Sequence, residues 1–331
     1  MREPGTQTAT SPGKAILFGE HAVVYGFPAV SLAVDLPTMV SVRRRPGTDW
    51  TLDGSSEGFQ RIPYLVEAAR SVGAEGIDVS IRSSLPRASG LGSSAAVTCG
   101  LLALLSKTGP GDLGTLAKLA YSAEFAAQGV GSPADTSTLC AGGIVSIGGG
   151  GYGKSLWEIA PRENRGPWKV DRLPDPGWKW VVAYTGLPKQ TGDVVSAVGR
   201  KVGAGASSTV EQIGALAERG IAALFKGDRA EVGKLMNENH GLLVELGVSN
   251  PRIEEIVEAL RPQTLGVKIT GAGRGGSLLA LPRSGEEAAV ARAFAKAGTV
   301  PFVVSISPVG VRVAPPSVTS AGAASPGRSA S

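Results

Sequence analysis

The sequence predicts two α+β halves, and three observations carry that reading. Strand patterns dominate up to Ser83 and helical patterns follow. A Pro-rich, charged stretch from Pro161 to Pro176 then reads as a linker before a strong strand, Trp178 to Tyr184. Four helical segments come next, and the chain closes on a β-β-α-β unit between Gly266 and Ser307. A length of 331 residues suits one large domain or two ordinary ones.

The elements follow in order. Ala15 to Phe18 and Pro28 to Val34 read as strands around a turn broken by Gly19-Glu20-His21. Val40 to Arg44 and Trp50 to Leu52 read as a further hairpin pair. Ile62, Leu65, Val66 and Ala69 stand at helical spacing within Ile62 to Val72. Ile77, Val79 and Ile81 alternate as in a half-buried strand. The loop Pro86 to Gly92 precedes a long apolar helix starting near Ser93 or Ser94, and a second helix covers Leu113 to Ala127. GVGSPADTSTLCAGG, 129–143, reads as a loop and short helical turn, followed by a strand, Gly143 to Ile147, and a glycine turn over 148–153. In the second half, helices are expected at Val194–Gly203, Ser208–Phe225, Arg229–Leu246 and Pro251–Leu260. Gly266–Thr270 and Ser277–Pro282 read as strands, Glu286–Ala297 as a helix and Phe302–Ser307 as the last strand. The segment 314–331, rich in Pro, Ser, Ala and Gly, reads as a disordered tail.

Composition excludes several classes. The 47 glycines follow no G-X-Y period, which removes collagen. At 42% apolar residues and a net charge of +5, the chain is too hydrophobic and too weakly charged to be disordered. No apolar run reaches about 18 residues, so no transmembrane helix is expected, and the opening residues carry no secretory h-region. The densest basic cluster is Arg43, Arg44 and Arg45 without interleaved aromatics, which does not support nucleic-acid binding. Cys99 and Cys140 cannot make a disulfide framework or a zinc site, and with two histidines a metal would need oxygen ligands. A reducing, cytoplasmic compartment is the expectation.

The sharpest local feature is SGLGSSA. Gly90 and Gly92 stand before an apolar helix opened by Ser93 and Ser94. Such a helix end offers unpaired N–H donors and partial positive charge to an anion. An ordinary Ser cap after a Gly turn explains the same residues, and the loop alone leaves both open. No G-x-x-x-x-G-K-[ST] occurs. GAGRGG at 271–276 matches G-x-G-x-x-G, but a strand follows it where a dinucleotide fold needs a helix. It reads instead as a hairpin turn or a loop closing over phosphate, where Arg274 either adds a charge partner or merely faces solvent. Taken singly, the acids and bases are ambiguous. Asp135 could cap a helix. Lys14 could lie on the surface, and His21 and Glu20 stand at a strand-to-turn junction. Glu124 borders an apolar helix face, where it would be exposed or buried with a cation. Cys99 and Cys140 read as small core residues, and His240 as a helix-surface or interhelical residue.

Taken together, SPGKAILFGEHAVVYG, LPRASGLGSSAA and KITGAGRGGSLLAL, in that order, resemble the GHMP kinase superfamily over nearly the whole chain to about residue 313. GEHAVVYG and YTGLPKQTGDVV are similar to the mevalonate kinases in particular, in an archaeal-type form. The resemblance implies a two-domain fold. A ribosomal protein S5 domain 2-like N-terminal domain (1–170) would carry the phosphate loop, and a ferredoxin-like C-terminal domain (171–313) would meet it at a cleft. It implies ATP as co-substrate, Mg2+, and mevalonate phosphorylated on its 5-hydroxyl. Pro86, Ser89, Gly90, Leu91, Gly92, Ser93, Ser94 and Ala95 would wrap the ATP phosphates, with Gly271 and Gly273 closing from the third loop. Ser94 and Glu124, eleven positions before Asp135, would hold magnesium. Asp135 would be the base and Lys14 its partner, while Glu20, His21 and Thr191 would lie by mevalonate. Two departures stand out. Ser132-Pro133-Ala134-Asp135-Thr136 replaces the usual PSG-x-DN, and Arg274 and Ser277 replace a usual Gly and Cys. A phosphomevalonate, homoserine or sugar kinase, a diphosphomevalonate decarboxylase and a non-catalytic ligand sensor are the alternatives on this fold. A homodimer is left open as the assembly.

Overall fold

The computed structural model describes residues 5–108, 111–129, 131–160, 167–188, 191–203 and 207–315. The chain begins with two long strands, β1 (Gln7–Phe18) and β2 (Ala29–Arg44), joined by an elbow holding a 3-10 turn at Ala22–Tyr25. Then come β3 (Trp50–Leu52), α1 (Ser56–Gln60), α2 (Pro63–Ser71) and β4 (Ile77–Ser83). Three helices follow, α3 (Ser93–Leu105), α4 (Leu113–Gln128) and α5 (Ala134–Ala141), then β5 (Ile144–Ile147), β6 (Lys154–Ile159) and β7 (Trp168–Leu173). The second half runs β8 (Trp180–Tyr184), α6 (Thr191–Gly203), α7 (Ser207–Lys226), α8 (Arg229–Leu246), α9 (Pro251–Leu260), β9 (Gly266–Thr270), β10 (Ser277–Leu281), α10 (Glu287–Lys296) and β11 (Val300–Val304). A two-residue strand, β12 (Arg312–Val313), ends it.

Among the described residues the strands form two sheets. The first runs β12-β1-β2-β5-β7-β6, with β4 also on β2 and β3 on β4. The second runs β11-β8-β10-β9 and is antiparallel throughout. That order, with helices between β8 and β9 and between β10 and β11, is the ferredoxin-like arrangement.

Local chemistry explains many boundaries. Asp112 caps α4 by accepting from the Thr115 N–H, and Asp228 caps α8 through the Glu231 N–H. Asn250 caps α9 through the Ile253 N–H, with Pro251 in the first turn. Helix α3 buries every residue from Ala95 to Leu102, because α4, α5, β1 and β2 surround it. Its sequence is accordingly apolar all round.

A separate cluster joins the halves. Leu17, Phe18, Val30 and Leu32 of the first sheet pack with Trp180, Leu216, Ile221, Met236 and Leu279. There α7 lies so close to β1 that a β-carbon on Gly220 would fall 2.3 Å from the Phe18 ring.

Two expectations are corrected. Trp50–Leu52 does not form a hairpin with Val40–Arg44: β2 is one continuous strand, and β3 pairs in parallel with β4. The near half of β2 is buried on both faces and only the far half alternates, so the change of pattern around Asp35–Pro37 disguises one strand as two. The stretch read as a linker contains β7, which pairs with β5 and β6 inside the first sheet. Trp168 and Val170 are buried there, so the Pro and charged residues around them disguised a core strand. Residues 161–166 of that stretch lie outside the described residues, as do residues 316–331 of the tail.

Candidate active site

Six segments meet at one cavity of about 360 Å³, lined among others by Lys14, Glu20, His21, Ser94, Glu124, Asp135 and Gly271. β1 brings Lys14, the N-terminal turn of α3 brings the phosphate-type loop, α4 brings Glu124 and α5 brings Asp135. The hairpin between β9 and β10 adds the third glycine loop.

Lys14 is buried, at 1% exposure, and its Nζ lies 2.9 Å from Asp135 Oδ1. Asp135 is 36% exposed and opens on the cavity. It is not a helix cap: Pro133 holds the cap position of α5, and Asp135 sits in the first turn. β1 lies between β12 and β2, beneath α3 and α5, which is why a lysine on it is covered.

Gly92 precedes α3 at φ 80° and ψ 26°, a left-handed conformation that favours glycine. A β-carbon there would lie 2.7 Å from Lys14 Cγ, so the loop rests directly on the lysine stem. The Lys14 N–H also donates to the Leu91 carbonyl at 2.9 Å. Neither Ser93 nor Ser94 supplies the cap. The Ser94 hydroxyl instead donates to Glu124 Oε2 at 3.0 Å. The first-turn N–H groups of α3 lack partners within their own helix and adjoin the cavity.

Glu124 accepts from Thr98 Oγ1 at 2.7 Å and from Gln128 Nε2 at 3.0 Å. Burial raises its pKa, the two hydroxyl bonds lower it, and the charge of Asp135 raises it further. Two hydroxyls and a carboxylate beside a cavity make a hard oxygen donor set. No cluster of three or more His, Cys, Asp or Glu able to hold a metal occurs among the described residues. The Ser94–Thr98–Glu124 oxygen set is of the kind that suits magnesium, which takes one or two carboxylates and completes its shell with water and phosphate. A cation beside Glu124 would also offset the burial of its charge.

Glu20 and His21 both line the cavity. Glu20 is 2% exposed, and its carboxylate accepts from Lys268 Nζ and from Asn239 Nδ2. His21 takes φ 65°, and its Nε2 lies 3.1 Å from the Ala272 carbonyl oxygen. The Ser277 hydroxyl donates to the Ser89 carbonyl at 2.9 Å, tying the third loop's far strand to the phosphate loop. Thr191 begins α6, but its side chain lies outside the described residues.

Several open readings are decided. Of the two for Arg274, the solvent-facing one holds: it is exposed, its Nε donates to the Gly247 carbonyl and its N–H to the Val248 carbonyl. His240 takes the interhelical of its two expected places: it is buried, with Nε2 3.1 Å from Glu254 Oε1 of α9 and Nδ1 accepting from the Ile269 N–H. Cys99 and Cys140 are buried as expected, with their sulfurs 3.7 Å apart. Thr98, Gln128, Tyr64 and Arg87 also serve or line the cavity and were not singled out from sequence. Thr98 is four residues past Ser94, and Gln128 four past Glu124. Helical spacing was therefore a usable signal for both.

Comparison with known proteins agrees with this geometry. The family described as GHMP kinases N terminal domain matches residues 62–143, and GHMP kinases C terminal matches residues 221–300. The chain is 32% identical to a mevalonate kinase of Pyrococcus horikoshii and 34% identical to one of Thermococcus sibiricus. Each match covers 92% of this chain and 97% of the relative. Among solved structures, the Methanococcus jannaschii mevalonate kinase superimposes with a TM-score of 0.70 at 25% identity, over 90% of this chain and 98% of that one. Near-complete alignment at this identity, with both family domains in order, means that the chain belongs to the GHMP kinase family and groups there with the mevalonate kinases.

Proposed function

We propose that the chain is an ATP-dependent kinase that phosphorylates the 5-hydroxyl of mevalonate to give 5-phosphomevalonate. The observation that carries this is the Lys14–Asp135 pair, facing the same cavity as the Ser94–Glu124 pair and the start of α3. Phosphoryl transfer needs chiefly positioning and neutralisation of oxygen charge, and this cavity offers both.

In this reading the Pro86–Ala95 loop and the α3 N-terminus bind the phosphates of ATP, with Gly271 and Gly273 closing from the other side. Ser94 and Glu124 would hold magnesium, which, when bound, neutralises charge on the phosphate oxygens. Asp135 accepts the proton of the substrate hydroxyl, and Lys14, 2.9 Å from Asp135 Oδ1, keeps that carboxylate aimed. The hydroxyl oxygen attacks the γ-phosphorus, the bond from that phosphorus to the β–γ bridging oxygen breaks, and ADP leaves. Mevalonate lies beside the His21 elbow, with Glu20 behind it and Thr191 near by.

The test is ADP release with mevalonate, phosphomevalonate, homoserine and galactose in turn. Turnover with mevalonate is expected; turnover only with another alcohol reassigns the substrate. Asp135→Asn should cut kcat by about 10²-fold or more while nucleotide still binds, the scale of a positioned base. A variant with near-normal kcat removes Asp135 from that role.

A further inference from the structure

Glu20 begins the elbow that carries His21 into the cavity, yet its carboxylate is committed elsewhere. Lys268 Nζ donates to one oxygen and Asn239 Nδ2, at 3.0 Å, to the other. Lys268 comes from β9 and Asn239 from α8, so both belong to the second half of the chain, whereas Glu20 belongs to the first. Lys268 and Asn239 are both at 0% exposure, and Lys268 also donates to the Ile269 carbonyl. Burial lowers the Lys268 pKa, and the charge of Glu20 opposes that shift. An ion pair this deep is poor stabilisation, because desolvating two charges can cancel their attraction and well-packed apolar groups often do as well. The interlobe cluster of Phe18, Trp180 and Met236 already joins the halves. The pair therefore calls for a reason other than cohesion.

That reason lies one residue on. His21 holds φ 65°, a conformation unfavourable for a side chain bearing a β-carbon, and its ring reaches the Ala272 carbonyl of the third glycine loop. Such a conformation persists where neighbours over-determine it. We propose that Lys268 and Asn239 are positioning residues acting through Glu20: they anchor its carboxylate across the two halves and so set the His21 elbow against the substrate cavity. Glu20 then serves the site as a strut rather than as a contact to the alcohol. This rests on the kinase reading above.

The test uses the full chain and four variants: Lys268→Met, Glu20→Gln, the double variant and Asn239→Ala. The readouts are kcat, the separate KM values for alcohol and ATP, and the melting temperature. Lys268→Met and Glu20→Gln should each raise the alcohol KM about tenfold or more and leave the ATP KM within about twofold, as expected of a misplaced positioning group. The double variant should be no worse than Glu20→Gln alone, because residues acting as one unit do not add. It also leaves no unpaired buried charge, so it should fold even where Lys268→Met does not. Asn239→Ala should raise the same KM. Equal rises in both KM values, additive effects, or a folded double variant with normal alcohol KM would overturn the proposal. An unchanged alcohol KM in Asn239→Ala removes Asn239 from it. A wild-type chain that turns over a different alcohol refutes the mevalonate reading, and the same comparison is then made with that alcohol. A wild-type chain that phosphorylates none removes both.

Discussion

Replacing Gly92 by alanine should disable the site through Lys14 more than through the fold. At φ 80° an added β-carbon costs about 1–2 kcal/mol of backbone strain. That β-carbon would also stand 2.7 Å from Lys14 Cγ, 3.3 Å from Cε and 3.5 Å from Cδ. Carbon pairs settle at about 3.5–4.0 Å, so the lysine stem must retreat by about 1 Å. Lys14 is 1% exposed, and the open space beside it is the cavity its substrates must fill. Its Nζ contact to Asp135 at 2.9 Å cannot survive such a shift unchanged. A displacement of this size at a reacting group can cost about 10²-fold in rate. Gly227→Ala is the control: it has φ 69° with no atom within 4 Å of an added β-carbon, between α7 and α8. Both variants should lose about 1–2 kcal/mol in urea unfolding. Only Gly92→Ala should also lose kcat in a coupled ADP-release assay. A Gly92→Ala enzyme with kcat equal to that of the Gly227 control would refute the argument.

Two further outcomes follow from the same geometry. Ser277→Ala removes the hydroxyl that holds the Ser89 carbonyl. The loss of one such bond, about 1 kcal/mol, should raise the ATP KM by up to about fivefold with kcat little changed. An unchanged ATP KM would show that the loop holds its shape without it. Glu124 has a folded-state pKa raised by burial and by Asp135. Its folded form therefore binds a proton more tightly than its unfolded form. Stability is fully present below the unfolded value of about 4.5 and falls as pH rises through the folded pKa. Glu124→Gln should flatten that decline in denaturant titrations from about pH 4 upward and abolish magnesium-dependent turnover. A variant that keeps the wild-type decline would place its origin in another group.

The glycine loops, the hydroxyl pair opening α3 and the helix pattern of the second half are legible in the sequence because their physics is local. Gly92 needs a left-handed backbone, α3 needs an apolar surround, and the strand after GAGRGG excludes a dinucleotide turn without reference to any distant residue. The motif order was enough to identify the family. The side chains that act at long range were not legible. Lys14 reads as a surface lysine until β1 is seen at the interior of its sheet. Arg274 could face phosphate or solvent until the Gly247 and Val248 carbonyls are found to hold it. β7 hides among prolines and charges because its cover comes from distant elements: Trp168 packs edge-on against Tyr121 of α4 and donates to the Val23 carbonyl.

The amino-acid sequence determined the chemistry available: oxygen ligands, a base, a lysine and glycine loops suited to phosphate. The family motifs anticipated that Lys14 would meet Asp135 and Ser94 would meet Glu124, and the fold brings both pairs together. Tertiary structure alone decided that Lys268 and Asn239 meet Glu20, across 248 and 219 residues. A charge in this fold is defined by what covers it and what faces it. Cover and partner are both properties of packed elements, and no local stretch of chain encodes them.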